Sequence, residues 1–122
     1  MKTRYFRDLL VWQKAMALAE AVYTLSDCFP KKEVFGLTAQ MRRCAVSVPS
    51  NIAEGHGRLS DPSLALFLGN ARGSLYELES QTELVIRLGF AEESAAEIIL
   101  EQIHEVARML NGLLGKVQGP AS

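Results

Sequence analysis

Apolar residues recur along this chain at alternating intervals of three and four residues, in four successive segments. This spacing is typical of amphipathic α-helices that bury one face, so the pattern predicts four helices. The first two stripes are Val11, Ala15, Leu18, Val22, Leu25, Phe29 and Val34, Leu37, Met41, Cys44, Val48, Ile52. The last two are Leu64, Leu68, Ala71, Leu75, Leu78, Thr82, Val85 and Ile99, Ile103, Val106, Leu110, Leu113, Val117.

Turn-forming residues separate the four segments, namely Phe29-Pro30-Lys31-Lys32, the run from Gly57 to Pro62, Leu88-Gly89-Phe90, and Gly119-Pro120. They predict helices over roughly 8–28, 33–57, 62–88 and 92–118, with Asp61 as the N-cap of the third. Pro49 falls inside the second segment and should kink it. Short connections join antiparallel neighbours, so we expect residues 1–122 to form one all-α domain, an antiparallel up-and-down four-helix bundle.

The first helix carries a second apolar stripe, made of Leu9, Trp12, Met16, Ala19 and Tyr23. The two stripes together span an arc of about 200°, which is wider than a monomeric bundle needs to bury. Either the N-terminal segment or a loop covers this surface, or it is a subunit interface. We expect the second, with Leu9, Trp12, Met16 and Tyr23 at the oligomer interface.

A polar seam is expected between the second and third helices, comprising Gln40, Arg43, Ser47, Asn51, Glu54 and Glu77. If the two helices pair antiparallel about Ser60, Arg43 faces Glu77 and Ser47 faces Gly73, which suggests a buried ion pair at a close helix contact. The seam has two interpretations. It fixes the register of the helices, which we favour, or it lines a groove for a ligand or nucleic acid.

Composition narrows the class of protein. A hydrophobic fraction of 48% with 22% charged residues supports a folded core. No apolar run approaches the roughly 18 residues of a membrane span, and the basic N-terminus is not followed by the apolar region of a signal peptide. We therefore expect a cytoplasmic protein with no membrane partner.

Charge is unevenly distributed along the chain, although its net value is only −1. Residues 1–58 contain nine Lys/Arg and five Asp/Glu, whereas residues 59–122 contain four and nine. This asymmetry indicates either oppositely charged helices that attract each other or a basic face that binds nucleic acid. On the second interpretation the candidate phosphate contacts are Lys14, Arg42, Arg58 and Arg72.

Candidate catalytic and metal sites are few. Cys28 and Cys44 match no metal-binding spacing, and each fits a small apolar role. A di-iron bundle needs two Glu-x-x-His motifs, and the chain has only Glu101-Gln102-Ile103-His104. The Gly69-x-x-x-Gly73 pair allows close helix approach and is not a phosphate loop. We expect no enzyme activity, no metal and no cofactor.

Four stretches of the chain, 8–15, 29–37, 40–55 and 73–79, resemble a family of small bacterial proteins. The most specific of the shared motifs is Asn51-Ile52-Ala53-Glu54-Gly55. The family is that of the four-helix bundle proteins encoded in intervening sequences of bacterial 23S rRNA genes, also called the S23 ribosomal protein family. The resemblance covers roughly residues 6–117.

The resemblance implies a homo-oligomeric ring, with a pentamer as the expected size. It also implies kinship with the accessory variability determinant of diversity-generating retroelements, which binds nucleic acid and a reverse transcriptase through a basic surface. The function that follows is a non-enzymatic, self-assembling scaffold or adaptor for RNA, DNA or a nucleic-acid-handling protein. The alternative is a protein–protein interaction module that binds no nucleic acid.

Overall fold

The computed structural model describes residues 5–58 and 60–118. It contains four α-helices, which are α1 (Leu10–Ser26), α2 (Leu37–His56), α3 (Asp61–Leu88) and α4 (Glu93–Gln118). Single 3₁₀ turns at Phe6–Asp8 and Lys31–Glu33 precede the first two helices. No strand occurs in these residues, which confirms the all-helical class and the number of helices for the described chain. None of these helices is long and apolar enough to cross a membrane.

The second helix begins later than the sequence predicts. Gly36 adopts φ −105° and ψ −117°, outside the helical region, so α2 starts at Leu37 and not near residue 33. The Glu33 side chain caps this start, because its Oε1 accepts a hydrogen bond of 3.2 Å from the Leu37 amide. Val34 therefore lies outside α2 and is half-exposed, which corrects its assignment to the core stripe.

The cap of α3 also differs from the prediction by one residue. Ser60, and not Asp61, is the N-cap, and its hydroxyl accepts a hydrogen bond of 3.4 Å from the Ser63 amide. Asp61 is instead the first helical residue, where its negative charge favours the positive end of the helix dipole. At the other end Gly89 ends the helix with φ +70°, a conformation that glycine adopts without strain.

Successive helices run in opposite directions. Residues near the end of one helix contact residues near the start of the next, as antiparallel packing requires. The contacts are Ser47–Ser74 and Gly55–Phe67 between α2 and α3, and Arg72–Asn111 and Glu79–His104 between α3 and α4. The first helix packs on both α2 and α4, and this closes the bundle.

The four predicted stripes form the core. Every residue of the first stripe is buried, as is the second stripe apart from Val34. The third stripe is buried from Leu68 onwards. In α4 the stripe shifts by one residue near its end, because Leu114 is buried while Leu113 is only half-buried. Since each fully buried Leu or Val contributes about 1.5–3 kcal/mol, these stripes are the main source of stability.

Proline and glycine inside the helices act differently from each other. Pro49 is buried within an unbroken α2, where it leaves the Ala45 carbonyl without its helical donor. Gly69 and Gly73 do not permit a close helix approach, because no neighbouring atom lies within 4 Å of where their Cβ atoms would be. That expectation from the Gly-x-x-x-Gly spacing was wrong.

Candidate functional site

An apolar groove with a volume of about 530 Å³ runs between α1 and α2. Its lining is almost entirely apolar: Phe6, Trp12, Met16, Ala19, Glu20 and Tyr23 on one side, and Val46, Pro49, Ser50 and Ala53 on the other. Glu20 is the only ionisable carboxylate in this lining. An apolar groove of this size on a small protein is typical of a binding surface.

Local structure explains the shape of the groove. The 3₁₀ turn at Phe6–Asp8 brings the Phe6 ring against the edge of the Trp12 ring, with centroids 5.2 Å apart. The turn is tied to α1 because Gln13 Nε2 donates a hydrogen bond of 2.8 Å to the Arg7 carbonyl. The lining also includes two small residues, Ala19 on α1 and Ala53 on α2.

One end of the groove is fixed by Arg42. Its guanidinium carbon lies 4.7 Å from the centre of the Tyr23 ring, at the distance of a cation–π contact. The same guanidinium donates hydrogen bonds of 2.8 Å to Asp27 Oδ1 and to Ser26 Oγ. These contacts tie α2 to the last turn of α1 and hold the Tyr23 ring in place.

Three of the four predicted interface residues line this groove, namely Trp12, Met16 and Tyr23. Leu9 lies elsewhere, in a smaller hollow of about 330 Å³ between α1 and α4. The α2 side of the groove was not predicted. Val46, Pro49 and Ala53 are spaced by three and four residues on α2, and that spacing is the signal that could have found it.

The four candidate phosphate contacts do not lie together. Lys14 is 3.6 Å from Glu105 between α1 and α4, and Arg42 binds Asp27 as described. Arg58 forms an ion pair of 2.8 Å with Glu54 and lies over the Phe67 ring. Arg72 donates a hydrogen bond of 3.0 Å to Asn111 between α3 and α4. Each cation thus has a partner in its own chain, and the four occupy three different helix pairs and one helix end.

The polar seam exists but is built differently from the prediction. Gln40, Arg43, Ser47 and Glu77 border a polar cleft of about 470 Å³ together with Cys44. Arg43 and Glu77 are both exposed, and no ion pair within 4.0 Å joins them among the described residues. The expected buried ion pair was therefore wrong, because both residues are exposed and the Glu77 carboxylate lies beside the Cys44 thiol.

Serine and cysteine make the contacts across this seam. The hydroxyl oxygens of Ser47 and Ser74 lie 2.6 Å apart, one residue from the predicted Ser47–Gly73 register. Cys44 donates a hydrogen bond of 3.0 Å from its thiol to the Ser74 carbonyl. Burial, and then the negative charge of Glu77, raise the pKa of Cys44 from 9.0 to about 12. A thiol with this pKa stays protonated at neutral pH and is a poor nucleophile.

The residues of the Asn51–Gly55 motif stabilise α2 and its packing on α3. Asn51 Nδ2 donates a hydrogen bond of 2.8 Å to the Ser47 carbonyl, and Ile52 is fully buried. Gly55 allows a close approach to α3, since a Cβ there would lie 3.0 Å from Phe67 Cβ and 3.2 Å from Leu64 Cδ1. Of the seam residues, Glu54 is directed to Arg58 and away from the cleft.

The Glu-x-x-His motif of α4 faces outward. Glu101 and His104 are both exposed, and His104 Nε2 lies 3.1 Å from Glu79 Oε2 on α3. In residues 5–58 and 60–118 no group of three His, Cys, Asp or Glu side chains is placed to hold a metal ion.

No curated protein matches this chain. A solved structure with a similar fold is the 1.70 Å crystal structure of a protein with unknown function from the S23 ribosomal protein family of Bacteroides thetaiotaomicron VPI-5482. The two chains are 23% identical, with a TM-score of 0.81, and the match covers 86% of this chain and 98% of the other. At this identity the likeness concerns the fold alone. Residues 7–112 also match the family model of the 23S rRNA-intervening sequence protein, and the chain therefore belongs to that family, as the four shared stretches predict.

Proposed function

We propose that this protein is a non-enzymatic, self-assembling helical bundle that acts as a scaffold or adaptor, and that the groove between α1 and α2 is its subunit contact. The observation that carries the proposal is the groove itself. Its lining exposes Met16, Tyr23 and Val46 by 38%, 43% and 43% respectively, next to the sole tryptophan, Trp12. Large exposed apolar surfaces usually mark association, because covering them removes apolar area from water.

A closed ring is the form of assembly that the family resemblance implies, with five subunits as the expected number. Homo-oligomers that use one surface patch against a different patch form rings when the rotation closes. Such a ring would repeat the exposed faces of α3 and α4 around an axis, and this repetition is what a scaffold or adaptor offers to its partners.

The absence of enzyme activity is proposed from the chemistry of the polar groups. The buried thiol of Cys44 is held protonated, and the Ser47 hydroxyl is paired with Ser74 and not with a base. Nucleophilic catalysis needs a nucleophile within hydrogen-bond reach of a base. Among the described residues no Ser or Cys side chain is hydrogen bonded to a histidine. Glu77 is the carboxylate beside the Cys44 thiol, and it raises the pKa of that thiol and therefore does not activate it.

The test is the native mass of the full chain and of Met16→Glu, measured by light scattering after gel filtration over a range of concentrations. We expect the wild-type chain to be an oligomer and Met16→Glu to be a monomer, because a carboxylate in an apolar contact is left unpaired. Ile98→Glu is the matched control, since Ile98 is 59% exposed on α4 and does not line the groove. A monomeric wild type, or dissociation by Ile98→Glu but not by Met16→Glu, contradicts the proposal.

A further inference from the structure

One aromatic side chain is almost fully exposed to solvent in this fold. Phe35 is 94% exposed, more than any other large apolar residue in the described chain, and Val34 beside it is 51% exposed. Both residues lie between the 3₁₀ turn at Lys31–Glu33 and the start of α2. They form a projection at the end of the bundle, which we call the Phe35 knob. It does not line the groove of its own chain.

The base of the Phe35 knob is held by hydrogen bonds. The Val34 amide donates to the Lys31 carbonyl at 3.2 Å, and the Gly36 amide donates to the Glu33 carbonyl at 2.9 Å. Glu33 Oε1 also accepts from the Leu37 amide, so Glu33 holds both of the residues that follow the knob. The backbone beneath the ring is thus ordered, so burial of the ring costs side-chain entropy but little backbone entropy.

Charge around the knob complements charge in the groove. Lys31 and Lys32 are exposed and form no ion pair within the described residues, and the only acid between them and the knob, Glu33, caps the Leu37 amide, so the segment has a net positive charge. Glu20, the one carboxylate of the groove, is likewise exposed and unpaired there. A cationic knob and a groove with an acidic rim attract each other and would suppress groove-to-groove contact, which places two Glu20 carboxylates together.

We infer that the Phe35 knob of one copy inserts into the α1–α2 groove of a second copy, with Phe35 against Trp12 and Met16 and with Lys31 or Lys32 near Glu20. This inference rests on the proposed self-association and names the two surfaces that make it. The contact is heterologous, because each copy gives one knob and receives another. Repetition of such a contact builds a ring when the rotation closes, and no copy is left with a free groove.

The first experiment compares full-length Phe35→Ser with Leu66→Ser, a matched control at a 60% exposed leucine of α3. Phe35 is almost fully exposed in its own chain, so both variants should fold with unchanged circular dichroism. We expect Phe35→Ser to dissociate at concentrations at least tenfold higher than wild type, because a buried phenylalanine contact is lost. We expect Leu66→Ser to keep the wild-type mass.

Trp12 reports the groove directly, because it is the sole tryptophan of the chain and lines the groove. On dilution, the wild-type emission should shift to the red as the knob leaves, and Phe35→Ser should show the same shift at concentrations at least tenfold higher. If Phe35→Ser keeps the wild-type mass and emission, the inference is overturned. If Met16→Glu nevertheless dissociates, the groove is still the subunit contact and only the inference about the Phe35 knob fails. If the wild type is a monomer, the proposed function itself fails.

Mixing two defective chains separates this contact from a symmetric one. Phe35→Ser retains an intact groove, and Met16→Glu retains an intact knob. Together they should form a 1:1 complex that neither forms alone, since one working contact is restored. A groove-to-groove dimer cannot be rescued in this way, because the altered groove of Met16→Glu takes part in every contact. The inference is overturned if the mixture forms no complex at concentrations where the wild type assembles. It is also overturned if a monomer shows blue-shifted Trp12 emission, because the chain would then cover its own groove.

Discussion

Cys44 shows how a single residue of this protein is made inert by its surroundings. The thiol lies at the contact of α2 with α3, donates to the Ser74 carbonyl, and has a pKa raised to about 12 by burial and by Glu77. In the unfolded chain the pKa of this thiol returns to its ordinary value of 9.0. Cys28, by contrast, is exposed. The two cysteines should therefore differ in their access to a thiol reagent.

The free energy of unfolding should depend on the ionisation of Cys44 at alkaline pH. Because the folded pKa is raised, the stability linked to this thiol is fully present below pH 9 and is lost between pH 9 and pH 12, as the unfolded thiol ionises and the folded one does not. The expected slope is about 1.4 kcal/mol per pH unit. Urea unfolding at several pH values should show a flatter fall for Cys44→Ser than for wild type. Equal slopes would mean that Cys44 does not stay protonated in the folded state.

The sequence predicts some side-chain positions of this protein correctly and others not. The periodic stripe predicts that Trp12, Met16 and Tyr23 face one way, and they share the groove. The same reasoning pairs Arg43 with Glu77, yet both residues are exposed. Periodicity fixes the direction of a Cβ atom and not the position of a long side chain's end, which depends on the distance between helix axes and on competition with water.

At the scale of helices, the approach of α2 to α3 depends on Gly55. We expect Gly55→Ala to destabilise the protein by about 1–3 kcal/mol, the usual result of overfilling a packed contact, because its Cβ would lie 3.0 Å from Phe67 Cβ. Gly73→Ala on α3 is the control, since its Cβ would meet nothing within 4 Å. That change should be neutral or stabilise by up to about 1 kcal/mol through helix propensity. Urea midpoints of the two variants measure both effects, and equal midpoints would show that Gly55 is not a packing constraint.

The helices themselves were predictable because their two signals, apolar periodicity and turn-forming residues, are local features of the sequence. The start of α2 was not, since Val34 fits the apolar period and moves the predicted start to residue 33, although Gly36 follows it. A hydrogen bond from the Leu37 amide to the Glu33 side chain sets that start. The Phe35 knob is a consequence of this late start, because a helix beginning at residue 33 would have placed Phe35 within a regular turn.

At the scale of the whole molecule, the groove has two walls that come from different helices. The sequence predicts the α1 wall from its excess of apolar positions. The spacing of Val46, Pro49 and Ala53 marks a matching stripe on α2, but whether that stripe faces the α1 wall depends on the angle at which the helices cross. Chain-wide charge asymmetry likewise predicts a basic half, whereas the fold distributes Lys14, Arg42 and Arg58 of that half over separate surfaces. Shape and charge at this scale follow from packing and are not local properties.

Binding to nucleic acid is the alternative partner class, and the whole-molecule charge decides what to expect. Affinity for a polyanion depends on how many cations can reach phosphates at once, with a log–log salt slope of about −0.9 for each contact on duplex DNA. Lys14, Arg42 and Arg58 are each paired with a carboxylate of their own chain, and the net charge is −1. We therefore expect structured RNA and duplex DNA to show no binding at about 150 mM salt, in a titration that records the mass of the same sample. Binding with a slope equivalent to several contacts, reduced by one in Arg72→Ala, would contradict this expectation and would show that assembly gathers cations that a single chain keeps apart.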